Sequence, residues 1–418
     1  MVSINRYYKK DTARLIKFVV PKDKSKSFLI KDSHTEAKGK HDYIVLENII
    51  GDLNDVQSYL SELKKNLNQD GRLLITYYNH LWEPILKLAS NLGLRNVKHE
   101  QNWLDNEDIG NLLELSGFEV ITHQRRLLIP VYIPIISSIA NKLVAHLPLF
   151  NSLCLTTWVI ARINKFVSGE MKPEKRQEYS VSIIVPARNE EGNIGNIVNS
   201  IPRFGKTQEI IFVEGKSNDA TWERISEEAK RFTSTNIKVL GLKQKGEGKG
   251  DALKSGFKKA TGDILMVLDA DLTVNPKELT KFYEVLAEGY GEFVNGSRMI
   301  YPMEKQAMRT LNKLGNKIFS WFFTWILGQR FKDTLCGTKA LFKSDYEWIL
   351  KNKIFFGNFD PFGDFDLIFG AIKANLKVVE IPVRYRERKY GTTNISRFKN
   401  GLQLLAMTAV AFKKFKAW

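Results

Sequence analysis

Between Ser180 and Asp271 the chain repeats one pattern: a short apolar run, a polar loop, then a stretch with helical periodicity. The runs are Val181 to Val185, Glu209 to Val213, Ile237 to Leu240 and Asp263 to Leu268, and they read as strands. Strands that alternate with helices must lie in a largely parallel sheet covered on both faces, which excludes all-α and all-β folds for this half. Open sheets of this kind bind ligands at the C-terminal ends of their strands. The residues there are Pro186-Ala-Arg-Asn-Glu190, Glu214 to Thr221, Lys245 to Ala252 and Asp269-Ala-Asp271. Glycines around Lys249 let backbone approach a ligand, and Lys249 itself can reach a phosphate, although such a loop is also compatible with an ordinary turn. Asp269 and Asp271 follow five apolar residues. If the strand geometry persists, they point the same way. Adjacent carboxylates repel unless a cation lies between them, and hard oxygen ligands suit Mg²⁺ or Mn²⁺ bridging a nucleotide diphosphate. The bland alternative is a solvated Asp-x-Asp turn that caps a helix.

From about residue 180 to 412 the motifs resemble, in order as well as content, a family 2 glycosyltransferase of the GT-A fold, nearest to polyprenyl-phosphate sugar transferases such as the dolichyl-phosphate mannosyltransferases. The resemblance implies that Pro186, Ala187, Arg188 and Glu190 line the donor base and ribose. In VEGKSNDAT, Glu214 stands where the family has its first Asp, and Gly215 replaces the second, which leaves the donor base open. The resemblance further implies that Lys249 is a donor contact, that Asp271 binds the divalent ion, and that Asp269 touches ribose or metal. NGSR at Asn295–Arg298 and DTLCGTKALF at Asp333–Phe342 resemble the strand and acceptor-side loop. Asp364 is the candidate for deprotonating or orienting the acceptor, and Asp366 is the second candidate. An acceptor phosphate is already anionic and needs no base. RYRERKYGTTNISRF resembles the family's Arg-x-x-Gly-x-Ser segment through Arg388, Gly391 and Thr393. There Arg384, Arg386, Arg388 and Lys389 would clamp phosphate, since guanidinium forks match its oxygens.

The first half carries a second resemblance. Asp42 to Leu46 reads as a strand, Asp55 to Leu67 as a helix, and Arg72 to Tyr77 as a strand after an Asp70-Gly71 turn. A helix running to Ser116 with Gly117 at its end, then a strand from Phe118 to His123, complete the pattern. These residues are similar to the fourth to sixth strands of a class I S-adenosylmethionine-dependent methyltransferase. That family binds its cofactor on a Gly-rich turn in the first half of the sheet, yet residues 1–41 hold one glycine, Gly39. One βαβ unit needs about 30 residues, so the expectation is a truncated, Rossmann-like methyltransferase fold with a structural or docking role. The expected organisation is residues 1–163 as this domain, 164–179 as a charged linker, and 180–418 as the GT-A domain with a basic amphipathic tail.

Lys and Arg number 63 against 46 acids, a net charge of +17, which favours phosphate-bearing or membrane partners. From Arg384 to the end there are nine Lys/Arg and one Glu, behind or around the uncharged apolar stretch Asn400 to Phe412. That combination suits a helix lying on a membrane, or an ordinary capping helix with a basic end. The aromatic run Leu311 to Leu327 must wrap around its helix and leave some rings exposed. Leu127 to Asn141 and Leu143 to Ala161 are uncharged, but prolines and polar residues make both too short or impure for a span. Two distant cysteines, Cys154 and Cys336, support neither a disulfide framework nor a zinc site. No RNA-binding signature or helix-turn-helix accompanies the charge, so nucleic acid is not an expected partner. The expectation is an inverting, Mg²⁺- or Mn²⁺-dependent sugar transferase, peripheral at the cytoplasmic face of the cell membrane. It would take a nucleotide-diphosphate sugar as donor and a polyprenyl phosphate as acceptor. A hydroxyl acceptor on a glycolipid or polysaccharide is the alternative, with methyl transfer or a scaffold further off.

Overall fold

The computed structural model describes residues 2–21, 27–31, 39–93, 102–165, 178–232, 237–302, 310–352, 363–388, 390 and 397–417. Residues 166–177 of the expected linker, with Lys389, Gly391 and Thr393, lie outside them. Two compact units result: Met1–Met171 with Phe415–Trp418, and Lys172–Lys414.

The first unit is built on five strands, β1 (Phe28–Lys31), β2 (His41–Glu47), β3 (Leu67–Tyr78), β4 (Phe118–Arg126) and β5 (Thr156–Ile163), in the order β1-β2-β3-β5-β4. The first three are parallel, and β5 runs antiparallel between β3 and β4. Among the described residues a single strand, β1, precedes β2 in the chain. The helix Asn106–Leu115 starts on a capping box, in which Asp105 accepts from the Asp108 amide and Asp108 accepts from the Asp105 amide. Gly117, at φ +80°, then lets the chain turn into β4.

One expectation changes here. Asp70-Gly71 is no turn, because β3 runs straight through it. The extra residues are absorbed where the β2–β3 register shifts between His41 and Tyr43, a bulge-like solution. The stretch Leu143 to Ala161 ends in β5, every residue of which is buried. A strand covered on both faces carries the same continuous apolar signal as a short membrane segment.

The second unit has seven strands: β6 (Val181–Ala187), β7 (Gln208–Glu214), β8 (Ile237–Lys243), β9 (Ile264–Val267), β10 (Phe293–Ser297), β11 (Lys339–Phe342) and β12 (Val378–Pro382). Their order is β12-β10-β11-β9-β6-β7-β8, all parallel except β11. Helices Glu191–Ser200, Thr221–Arg231 and Gly248–Lys259 make the crossovers, and Ile183, Val185, Ile210, Phe212 and Met266 fill the core. The reversal of β11 matters for the site. Lys339, its first residue, pairs with Val267, the last of β9, so the loop entering β11 returns to where Asp269 leaves the sheet.

Aromatic residues of helix Thr310–Leu327 do wrap around it. Phe323 is buried against Phe365 and Phe369, Trp325 packs on Phe412, and Trp321 is 59% exposed. Among the described residues no helix is long and apolar enough to cross a membrane. Cys154 and Cys336 are free and buried.

Candidate active site

The loops after β6 and β7 are tied to each other. The Asn189 amide donates to Ser217 Oγ at 3.0 Å, the Asn218 amide to Asn189 Oδ1 at 2.8 Å, and the Glu190 amide to Thr221 Oγ1 at 2.9 Å. Gly215 N–H reaches the Ala187 carbonyl at 2.9 Å. Within this rim Pro186 is half-buried, Ala187 buried and Arg188 exposed. Glu214, expected to contact the donor, is buried and accepts the Ser217 amide, so its carboxylate shapes its own loop.

Where β9 ends, Asp269 Oδ1 lies 2.7 Å from Lys249 Nζ, which sits in the first turn of helix Gly248–Lys259. Lys249 also approaches Asp364 Oδ2 at 3.5 Å, and Asp364 Oδ1 lies 3.3 Å from Lys339 Nζ. The four side chains alternate in charge, acid–lysine–acid–lysine. Burial works against a charge on Lys249, but Asp269 and then Asp364 overcome it and hold the ammonium above its ordinary range. Burial likewise opposes ionisation of Asp269, and Lys249 holds it below the usual carboxylate range. Two glycines make the cluster possible. A Cβ on Gly363 would come within 2.8 Å of the Gly250 Cα, and one on Gly337 would fall 2.0 Å from Asp269 Oδ2 and 2.5 Å from Lys249 Nζ.

Asp271 belongs to a neighbouring arrangement. Its Oδ1 accepts from the Thr273 amide and hydroxyl at 3.1 and 2.7 Å, and its Oδ2 takes Arg388 Nη2 at 2.9 Å. Arg388 Nη1 lies 3.4 Å from Glu190 Oε1 as well. Burial pushes the Glu190 carboxyl up to about 6, against the pull of Arg388 and Asn193. β9 ends at Val267, before the Asp-Ala-Asp, so strand alternation does not carry through and Asp269 and Asp271 hold different cations.

Asp364 and Asp366 are not brought to one site. They are two residues apart on helix Asp364–Lys373 and therefore on different faces. Asp366 instead borders an apolar hollow of about 420 Å³, open solvent included, with Leu253, Phe257, Tyr346 and Leu350. Arg384 and Arg386 are exposed, with Arg384 over the Tyr301 ring at 5.4 Å.

Sequence reasoning assigned no role to Gly337 or Lys339, although both lie in the quoted DTLCGTKALF. It also missed the buried pair that anchors this loop. Asp333 accepts from Arg298 Nε at 2.6 Å and Nη2 at 2.9 Å, from Asn316 Nδ2 at 2.8 Å and from the Leu335 amide at 3.0 Å. Burial opposes its charge, yet Arg298 brings the pKa down to about 2. A carboxyl depressed in the fold stabilises above its unfolded pKa. That stabilisation is therefore expected to disappear as pH falls from about 4 to about 2. Asp333→Asn is expected to cost roughly 3–5 kcal/mol at neutral pH, as for a broken buried pair. Thermal melts of the two proteins across that range check both statements.

A divalent ion fits the Asp271 side of the site. Asp271 and Glu190 already converge on one cationic group, the Arg388 guanidinium. Among the described residues there is no group of three or more His, Cys, Asp or Glu side chains that could hold an ion. Two carboxylates on one cation are what Mg²⁺ uses, since it takes one or two and leaves its other positions to water and substrate phosphates.

Comparison with known proteins places these residues in context. The family model described as Glycosyl transferase family 2 matches residues 182–355, and one described as Methyltransferase domain matches 6–123. The UDP-N-acetylglucosamine–dolichyl-phosphate N-acetylglucosaminyltransferase of Methanococcus voltae is 30% identical over 244 residues, 54% of this chain and 95% of its own length. The dolichol-phosphate mannosyltransferase of Pyrococcus furiosus is 30% identical over 220 residues, 51% of this chain and 59% of the relative. Across four of the curated relatives that it matches, the chain spans between 59% and 68% of their length. Among solved structures, glucosyl-3-phosphoglycerate synthase from Mycobacterium tuberculosis with UDP aligns over 56% of this chain and 80% of its own, at 18% identity and a TM-score of 0.41.

Proposed function

Since this chain belongs to glycosyl transferase family 2, we propose that residues 180–418 move a sugar from a nucleotide-diphosphate donor to a polyprenyl phosphate, with 164–179 linking them to the domain of residues 1–163. The observation that carries the reading is Lys249 held between Asp269 and Asp364 at the C-terminal end of the sheet, with Arg388 on Asp271 beside it. These are two cations suited to phosphate, each kept in place by a carboxylate. Relatives named for dolichyl or undecaprenyl phosphate as acceptor support the lipid.

In the reaction an acceptor phosphate oxygen bonds to the anomeric carbon as the bond to the donor diphosphate breaks, with inversion. Pro186, Ala187, Arg188 and Glu190 form the rim against which the nucleoside rests. Asp269 orients Lys249 toward the diphosphate. Asp271, with Glu190, would hold Mg²⁺ or Mn²⁺, which supplies charge neutralisation for the leaving group. Because the acceptor is anionic, Asp364 acts by fixing Lys249, the cation that would meet the incoming phosphate. Asp364→Asn is accordingly expected to lower kcat/KM about a hundredfold through misplacement, with no change in the shape of the pH profile. A lost pH limb would make Asp364 a general base instead.

The working place is the membrane surface at the cytoplasmic face. Helix Arg397–Phe415 supports this, with Leu402 and Leu405 exposed and Lys413 and Lys414 in its last turn. The test is transfer of label from a panel of nucleotide sugars, with Mg²⁺ or Mn²⁺, into organic-extractable lipid in the presence of polyprenyl phosphate. Label with one donor that vanishes with EDTA supports the proposal. Tight nucleotide binding with no label from any donor would point to a hydroxyl acceptor.

A further inference from the structure

In the first unit the segment between β4 and β5 is turned inside out relative to an ordinary surface. Residues 127–155 contain one formal charge, Lys142, and no acid. Several of their polar side chains, Ser137, Asn141 and Asn151 among them, satisfy local backbone. Ser137 Oγ donates to the Ile133 carbonyl at 2.7 Å, Asn141 pairs with both backbone groups of Ile129 at 2.9 Å, and Asn151 donates to the Ala145 carbonyl at 2.9 Å. A row of apolar side chains faces out. Ile135, Ile139 and Leu143, each four residues from the last, are 75%, 50% and 50% exposed, and Leu149 is 82% exposed. Ile135 adopts φ +65°, a costly conformation for a β-branched residue, at the head of helix Ile136–Lys142. Internally satisfied polar groups beneath an outward apolar layer are what a hydrocarbon environment demands.

Charge identifies the occupant. The Tyr7 ring lies 6.0 Å from that of Tyr132 at a tilt of 46°, and its hydroxyl accepts from Asn141 Nδ2 at 3.2 Å, so the helix Val2–Val19 borders the segment. It brings exposed Lys9 and Lys10, and Lys142, which follows the contacted Asn141, is exposed as well. Asp11, in the same turn, is neutralised by Arg126 at 2.7 and 2.8 Å. An apolar face with a basic edge matches an anionic bilayer, where side chains enter the acyl boundary and lysines meet headgroups. We propose that residues 132–153 are an interfacial docking element that inserts Ile135, Ile139, Leu143 and Leu149 into an anionic lipid membrane. The inference rests on the first unit alone and does not depend on sugar transfer.

The test uses the full chain with vesicles of phosphatidylcholine, alone or mixed with phosphatidylglycerol. Wild type is expected to bind the mixed vesicles more tightly. The double substitution Ile135→Glu, Leu149→Glu is expected to reduce that partitioning roughly tenfold or more, since two burials are lost, with an unchanged melting temperature. Helix Arg397–Phe415 offers another apolar surface, so Leu149→Trp is read as the difference between its emission and that of wild type with its eight native tryptophans, and that difference is expected to shift to the blue on adding mixed vesicles. An unshifted tryptophan, or a double variant that partitions like wild type, would overturn the proposal. So would a double variant that sediments as a smaller species with vesicle binding intact, which would make the face a contact between copies.

Discussion

Asp271→Asn is expected to lower sugar transfer by about three orders of magnitude, while the protein melts within a few degrees of wild type. The asparagine carbonyl can still accept from the Thr273 amide and hydroxyl, so the loop after β9 keeps its shape. The negative charge that faces Arg388 at 2.9 Å is lost, and with it one of the two carboxylates proposed for the divalent ion. Charge stabilisation of a leaving diphosphate is worth several kcal/mol, and each 1.36 kcal/mol is a factor of ten. Mn²⁺ binding, followed by electron paramagnetic resonance, is expected to weaken in parallel. Normal transfer by the variant would show that the ion is held elsewhere, whatever the acceptor.

The second large effect is expected from a single methyl group. Gly337→Ala would place its Cβ 2.0 Å from Asp269 Oδ2 and 2.5 Å from Lys249 Nζ, closer than real carbon atoms approach. The loop cannot retreat easily, because Asp333 is bound to Arg298 and Lys339 donates to the Cys336 carbonyl. Lys249 and Asp269 must then separate. Overpacking costs about 1–3 kcal/mol, and loss of the pair adds to it. Nucleotide-sugar affinity, read by calorimetry, is expected to fall at least roughly tenfold, and transfer further, because a small misplacement of a reacting group is costly. Gly315→Ala is the control. It sits in helix Thr310–Leu327 with nothing within 4 Å of its Cβ, so it should be neutral or slightly stabilising. Equal losses from both variants would mean that the Gly337 cradle is not the cause.

Strand identity was legible where a short apolar run ended in a polar loop. The runs ending at Val185, Val213 and Leu240 are strands, each slightly longer than its apolar core. The Asp105 cap and the Gly117 stop of helix Asn106–Leu115 were equally legible. β5 escaped notice because its burial on both faces mimics an uncharged membrane-like run, and the Asp70-Gly71 bulge because glycine after aspartate signals a turn just as well.

By itself, the sequence determined that two α/β units follow one another, that the second offers acids and lysines at the ends of parallel strands, and which family its motifs resemble. Those features depend on local periodicity and on residue order, both of which are written in the chain. The tertiary structure alone decided the partners. It brought the loop before β11 back onto Asp269 through one antiparallel strand, and it joined Lys249 to Asp364 across 115 residues. It also gave Asp271 to Arg388 and Asp269 to Lys249, and sent Asp366 to another face of its helix. Such pairings are set by strand order, strand direction and the space left by glycines, and no local pattern encodes them.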